Sequence, residues 1–286
     1  MKSFQLIRSQ QQYLASLHRQ GPTPWFVNAI IPAIGFKDST EVLEIYLQRS
    51  VSRTIDPLRK VFISVGWLVG EENLDRLLKW FYAYSPGEPL SAQILASEFE
   101  SFVGDLDENL LDEIIANRFV GDSERLSLQQ ALMAAAMLDW RSHWVQLHRS
   151  CLPESRTKEI RDMRRHTSPW ARPQLDKTAR LCESGVDLAK LFKLALNQEP
   201  SQPIPLVENN TADFLIHADL EHVTQIRQLD QHESRLLNHC DGTHTYASLR
   251  HEASFHGRSW QETDELLACL IEQGVITQIS DSSEYW

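Results

Sequence analysis

The chain has 286 residues, 42% of them hydrophobic and 23% charged, enough to bury one sizeable core and a second beside it. Lys and Arg number 28 against 39 Asp and Glu, and the resulting formal charge of -11 disfavours nucleic acid or an anionic membrane as partner of the whole molecule. Only 11 Gly and 12 Pro exclude collagen-like and low-complexity classes, and the 9% aromatic content argues against general disorder.

Taken in chain order, the first half predicts helix after helix, because apolar residues return every three or four positions and the breaks carry Gly, Pro or a capping residue. Phe4, Ile7, Leu14 and Leu17 predict an opening helix stopped by Gly21-Pro22-Thr23-Pro24. Ser39 or Thr40 caps a second helix carrying Val42, Leu43, Tyr46 and Leu47, which Pro57 is expected to bend or restart. Leu58, Val61, Phe62 and Val65 continue that stripe, Leu74, Leu77, Leu78 and Phe81 mark the next helix, and Ile94, Leu95, Phe99 and Phe102 follow. Ser127 caps a long helix to about His148, with Leu128, Leu132, Ala135, Leu138 and Val145 near one face. Residues 1–150 therefore read as a helical, bundle-like domain.

Residues 151–203 read as a connector. Between Arg156 and Arg180 stand eight basic residues against Glu159, Asp162 and Asp176, interrupted by Pro169 and Pro173. A short helix from Asp187 to about Asn197 precedes Pro200, Pro203 and Pro205. From 204 onward the pattern changes. Phe214 to Ile216 and Val223 to Leu229 predict short strands, with another conceivable at Ile204 to Val207. Helices are predicted at Gln231 to Cys240, Tyr246 to Ser254 and Trp260 to Gln273, then a terminator at Gly274 and a last strand at Val275 to Ile279. Strands, three helices and a closing strand describe a small α+β winged-helix domain over 204–286, so the fold class is mainly α with that domain appended.

Cys151, Cys182, Cys240 and Cys269 are dispersed, with no CxxC pair and no disulfide framework. The N-terminal residues lack a signal-peptide apolar core, and no later stretch approaches the roughly 20 apolar residues of a spanning helix. The expected location is the cytoplasm, with no membrane partner.

Two groups of residues carry a family resemblance. Tyr46, Val51, Ile55, Leu58, Phe62, Leu68-Val69-Gly70-Glu71-Glu72, Tyr82, Pro86, Phe99 and Phe102 resemble the N-terminal domain of HvfC-like proteins, a family that carries a DNA-binding label, and Asp139-Trp140 and His148 look like its long-helix positions. Ile63 stands where the family often has Pro, and Tyr46-Leu47 where it has Tyr-Arg, which marks a divergent branch. The run from Leu236 to Thr245, then Leu266, Leu267, Leu270 and Gly274-Val275-Ile276, is similar to PqqD-like recognition domains for ribosomally made peptides. Together the halves resemble partner subunits of the MbnC and TglI type. That resemblance implies a non-catalytic subunit that binds a precursor peptide and docks on a multinuclear iron oxygenase of the MbnB/TglH type, which modifies a peptide cysteine. Iron is then expected in the partner, with no cofactor in this chain.

Charge separates this reading from its rival, a winged-helix DNA-binding regulator. Residues 204–286 hold four basic residues, Arg227, Arg235, Arg250 and Arg258, against fourteen acidic ones, a balance of -10. The segment Trp260 to Gln273 carries Glu262, Asp264, Glu265 and Glu272 with no Lys or Arg, which suits no phosphate-lined groove. An exposed strand edge can instead pair with an extended peptide. The expected peptide contacts are Val223, Gln225, Arg227 and Leu229 on the strand, with Thr263 and Leu267 on the last helix; Thr224, Ile226 and Gln228 occupy the other side, and either side can meet the guest.

Trp140, Trp144 and His148 follow i, i+4, i+8 spacing, a stripe that serves either the core or an interface. With Arg164, Arg165 and Trp170 of the connector they form the expected contact to the oxygenase. The connector has two other readings, a solvated linker and an RNA-binding arm. Seven of 11 histidines fall in the acidic half, but no HExxH occurs. The five-residue steps His239 to His244 and His251 to His256 put the two rings on different faces of a helix, so no metal site is expected. No GxSxG, Walker loop or GxGxxG supports catalysis by this chain itself.

Overall fold

The computed structural model describes residues 37–84, 92–107, 128–150, 169–198, 203–219 and 223–280. The opening helix predicted around Phe4 to Leu17 lies outside them. The architecture is mainly α with small antiparallel sheets, and the chain divides into two compact units, Met1–Phe119 and Val120–Trp286.

The first unit contains α1 (Ser39–Val61), α2 (Ile63–Val69), α3 (Glu71–Tyr84) and α4 (Ala92–Gly104). Helix α1 runs through Pro57, and the break comes at Phe62 instead. It packs on α3, and Ile55, Leu58 and Val61 of α1 and Leu74, Leu77 and Leu78 of α3 are all buried. Phe99 holds the centre, with its ring 4.3 Å from that of Phe62 and 5.2 Å, edge-on, from that of Phe81. Arg59 ties α1 to α3 through Asp75 at 2.6 Å, and also binds Asp56.

The second unit begins its described part with α5 (Leu128–Ser150), followed by β1 (Arg172–Leu175), β2 (Arg180–Ser184) and α6 (Leu188–Leu196). Then come β3 (Ala212–Ala218), β4 (Thr224–Gln228), α7 (Gln231–Asn238), α8 (Tyr246–Phe255), α9 (Trp260–Glu272) and β5 (Ile276–Ser280). The expected boundary at residue 150 differs from this division, since α5 packs on β3, β4 and α6 and so groups with the sheet. The expected connector over 151–203 contains two strands and a helix. Residues 151–168, including Arg164 and Arg165, lie outside the described residues.

Strands β2, β3 and β4 form an antiparallel sheet in that order. Cys182 pairs with Phe214, and Ile216 with Ile226, so Cys182, Phe214, Ile216 and Ile226 share one face, which α5 and α6 cover. The opposite face sends Leu181 and Leu215 into a core with Leu236, Leu237, Leu249, Leu267, Leu270 and Ile271 of α7, α8 and α9. The sheet is thus the middle layer of three.

The three-helix part is strongly punctuated. Asp230 and Glu233 make a capping box on α7, Thr245 caps α8, and Ser259 with Glu262 makes a second capping box on α9. Gly274, at φ +73°, terminates α9 as expected, with its N–H donating to the Ile271 carbonyl. The return strand β5 then pairs with β1, Arg172 opposite Ser280 and Leu175 opposite Ile276. The wing is therefore built from strands at opposite ends of the domain sequence rather than from a hairpin.

Candidate functional site: an open sheet edge

Strand β4 ends the β2-β3-β4 sheet, and its hydrogen-bonding parity follows from its two ends. Leu229 N–H donates to the Asp213 carbonyl at 2.8 Å, and Asp219 N–H donates to the Val223 carbonyl at 3.0 Å. With the continuous register between, Leu215 opposite Arg227 and His217 opposite Gln225, residues 223, 225, 227 and 229 direct their backbone groups to β3. Thr224, Ile226 and Gln228 direct theirs away from the sheet. Among the described residues, no strand pairs with that side and no group bonds those N–H or C=O groups.

The two outer edges are not equivalent. On β2 the same parity turns Leu181 outward, and Arg141 of α5 donates to its carbonyl at 2.7 Å. Val186, just beyond β2, forms a bridge with Leu206, the only remnant of the strand expected over Ile204 to Val207. One edge is therefore blunted by its own chain, and the other, among the described residues, keeps its ladder groups unpaired.

Side chains tie β4 to its neighbours. Arg227 Nη1 donates to both carboxylate oxygens of Glu233, at 2.8 and 2.9 Å, joining the strand to the first turn of α7. Gln225 donates to Asp219 at 2.8 Å across the strand's entry turn. Val223 is 52% exposed at that entry. Leu229, in contrast, is 6% exposed and belongs to the helical core, as does Leu267; Thr263 is fully buried, with its hydroxyl donating to the Ser259 carbonyl. Six expected contact residues thus separate into three at the strand surface, Val223, Gln225 and Arg227, and three core residues, Leu229, Thr263 and Leu267. The last three pack the domain, because apolar burial and an internal hydroxyl bond satisfy them already.

The backbone groups that face outward belong to Thr224, Ile226 and Gln228, which sequence reasoning placed on the alternative side. A strand's side-chain alternation is visible in sequence, but which alternate set bonds its neighbour depends on the register with β3. Helix α9, expected alongside the guest, packs on α8 and β5, while α5 and α6 pack on β4. Its Asp264 is held by a two-point contact with Arg250, at 2.6 and 2.8 Å, while Glu262, Glu265 and Glu272 are exposed.

The expected oxygenase-facing group is partly brought together. Trp144 stacks on His148, with ring centres 3.6 Å apart, and lies edge-to-face with Trp140 at 5.7 Å. The Arg180 guanidinium sits 5.5 Å from the Trp144 ring, joining this stripe to the blunted edge. Burial and then the charge of Arg141 push the Arg180 guanidinium below its ordinary pKa, opposed by Asp176. Trp170 is 65% exposed.

Among the described residues, no group of three or more His, Cys, Asp or Glu side chains is placed to hold a metal ion. No helix among them is long and apolar enough to cross a membrane. In comparison with known proteins, the chain matches no family model and no curated protein.

Proposed function

We propose that this chain is a non-catalytic recognition subunit that binds a ribosomally made precursor peptide by strand addition at β4. The single observation that carries the peptide-binding half is the open ladder of Thr224, Ile226 and Gln228 beside a second edge blunted by Arg141. A guest backbone supplies the missing donors and acceptors, and its alternate side chains meet the two faces of the sheet. The acidic balance of residues 204–286, with the exposed carboxylates of α9, supports a polypeptide guest over a duplex.

The second half of the proposal is that the bound peptide's cysteine is presented to a multinuclear iron oxygenase of the MbnB/TglH type, with the iron held by that partner. It rests on the resemblance stated from sequence. The exposed Trp170 and the Trp140, Trp144 and His148 stripe are its suggested contacts.

Fluorescence polarisation with labelled short peptides encoded beside this gene, together with copurification with a neighbouring iron oxygenase, tests both halves. Saturable micromolar binding that Gln228→Pro abolishes supports the strand-addition mode. Absence of peptide binding and of copurification rejects the proposal, and a steeply salt-dependent affinity for duplex DNA would replace it with the regulator.

A further inference from the structure

The open edge of β4 lacks the devices that keep a strand edge from pairing with its own kind. Its register with β3 runs from Thr224 to Gln228 without a bulge, and the strand, Thr224-Gln225-Ile226-Arg227-Gln228, contains no Pro and no Lys. Its single charge, Arg227, is already turned aside, with Nη1 donating to both carboxylate oxygens of Glu233. No bare charge in the strand repels a second β4.

The outward backbone set is symmetric about Ile226. When a second copy approaches antiparallel on a two-fold axis through that residue, Ile226 faces Ile226, and Thr224 of each copy faces Gln228 of the other. All of these positions direct N–H and C=O outward, so each pair exchanges two bonds and no outward group between 224 and 228 stays open. A slip of one residue would set outward groups against inward ones, which fixes the register.

The side chains agree with that register. On the face covered by α5 and α6, the half-buried Ile226 packs against its equivalent. Thr224 Oγ1 is screened from solvent with no hydrogen-bond partner among the described residues, and the exposed Gln228 of the second copy brings an amide opposite it. On the other face Arg227 meets Gln225 of the second copy, whose amide donates to Asp219 at 2.8 Å. A carboxylate therefore arrives near each guanidinium. The two Arg227 side chains lie diagonally across the axis, each neutralised by its own Glu233.

We propose that the guest-free chain pairs with a second copy of itself through β4, edge to edge and antiparallel about Ile226, so that the dimer closes the guest site until a peptide displaces it. A strand of this length covers far less than the roughly 1,600 Å² of a standard interface. The balance of -10 over residues 204–286 also repels an equal copy. The pairing is accordingly weak and reversible, with Kd about 10–100 μM. Displacement rests on the peptide reading above; the self-pairing does not.

Sedimentation equilibrium of the full chain without peptide, between about 5 and 500 μM, tests it. The expected result is a monomer–dimer equilibrium that Thr224→Pro and Gln228→Pro each weaken by at least about tenfold, with circular dichroism verifying each fold. Phe255→Ala and Trp260→Ala, at exposed aromatics between α8 and α9, should leave it unchanged. Amide exchange by nuclear magnetic resonance reads the same contact in the unmutated chain, where the N–H groups of Thr224, Ile226 and Gln228 should gain protection as concentration rises. A short peptide encoded beside this gene, added at saturation, should return the chain to monomer. A chain monomeric throughout this range, or a dimer that both folded proline variants retain, overturns the self-pairing. Peptide bound by an intact β4 dimer would overturn the closure of the site. A β4 dimer that binds no peptide supports the self-pairing while rejecting the guest reading.

Discussion

Proline substitution at two exposed glutamines of one short strand distinguishes the ladder from the open edge. Gln225 and Gln228 both lie on the surface of β4, but Gln225 N–H points to His217 of β3 and Gln228 N–H points away. Gln225→Pro removes a ladder bond and strands the carbonyl of His217, a residue only 4% exposed. An unsatisfied buried acceptor costs about 1–3 kcal/mol, centred near 2. For a unit of the size of Val120–Trp286, about 2 kcal/mol lowers Tm by about 4–8 °C. Gln228→Pro removes an N–H with no partner among the described residues, at an edge where proline is tolerated, and should stay within about 0.5 kcal/mol. Thermal unfolding followed by circular dichroism measures both. Guest binding should invert the order, with Gln228→Pro weakening an edge-bound peptide by at least about tenfold, since a donor is lost and the ring obstructs approach. Equal Tm losses in the two variants would refute the parity argument. Undiminished peptide binding by a folded Gln228→Pro protein would move the guest off this edge.

Three further outcomes follow from the core and its caps. Leu267→Ala, at 1% exposure between the helices and the sheet, should cost about 2–5 kcal/mol in urea unfolding. Ser259→Ala removes the cap and half of the capping box of α9 and should cost about 1 kcal/mol by the same measurement. Alkylation by iodoacetamide near neutral pH, mapped by peptide mass spectrometry, should mark exposed Cys269 promptly and leave Cys240 unmodified until denaturant is added, because burial pushes the Cys240 thiol up to about 12. Early labelling of Cys240 would show that the helical core opens locally.

The helices were legible because each carries its own period and its own punctuation. The last three were predicted to within a residue or two, with Gly274 marking the final stop, and the structure adds the caps Asp230, Thr245 and Ser259 at their starts. Strands β3 and β4 stood out by their apolar and β-branched content. Strands β1 and β2 did not, because Arg172-Pro173-Gln174-Leu175 and Arg180-Leu181-Cys182-Glu183-Ser184 are short, charged and embedded in a basic stretch. Their pairing depends on β5 and β3, far along the chain, and no local pattern encodes that. Placing α5 with the sheet likewise required the contact between Arg141 and the Leu181 carbonyl, forty positions apart. The candidate strand was legible, whereas its outward set of residues was not. The rings of His239 and His244 lie 4.8 Å apart because the chain turns between α7 and α8, where rotation along a helix does not apply.

The clasp of β1 on β5 makes the last residues of the domain a condition for the first. Ala171, Val275 and Ile276 share one core with α7, α8 and α9, and Arg172 finds its partner only at Ser280. During synthesis the three helices emerge before the segment that seals their apolar underside, so the nascent domain waits, greasy side uncovered, until its final stretch leaves the ribosome. A nonsense or frameshift lesion just upstream of Ile276 would therefore leave the helices intact in sequence yet deliver a chain fit chiefly for chaperones and proteases.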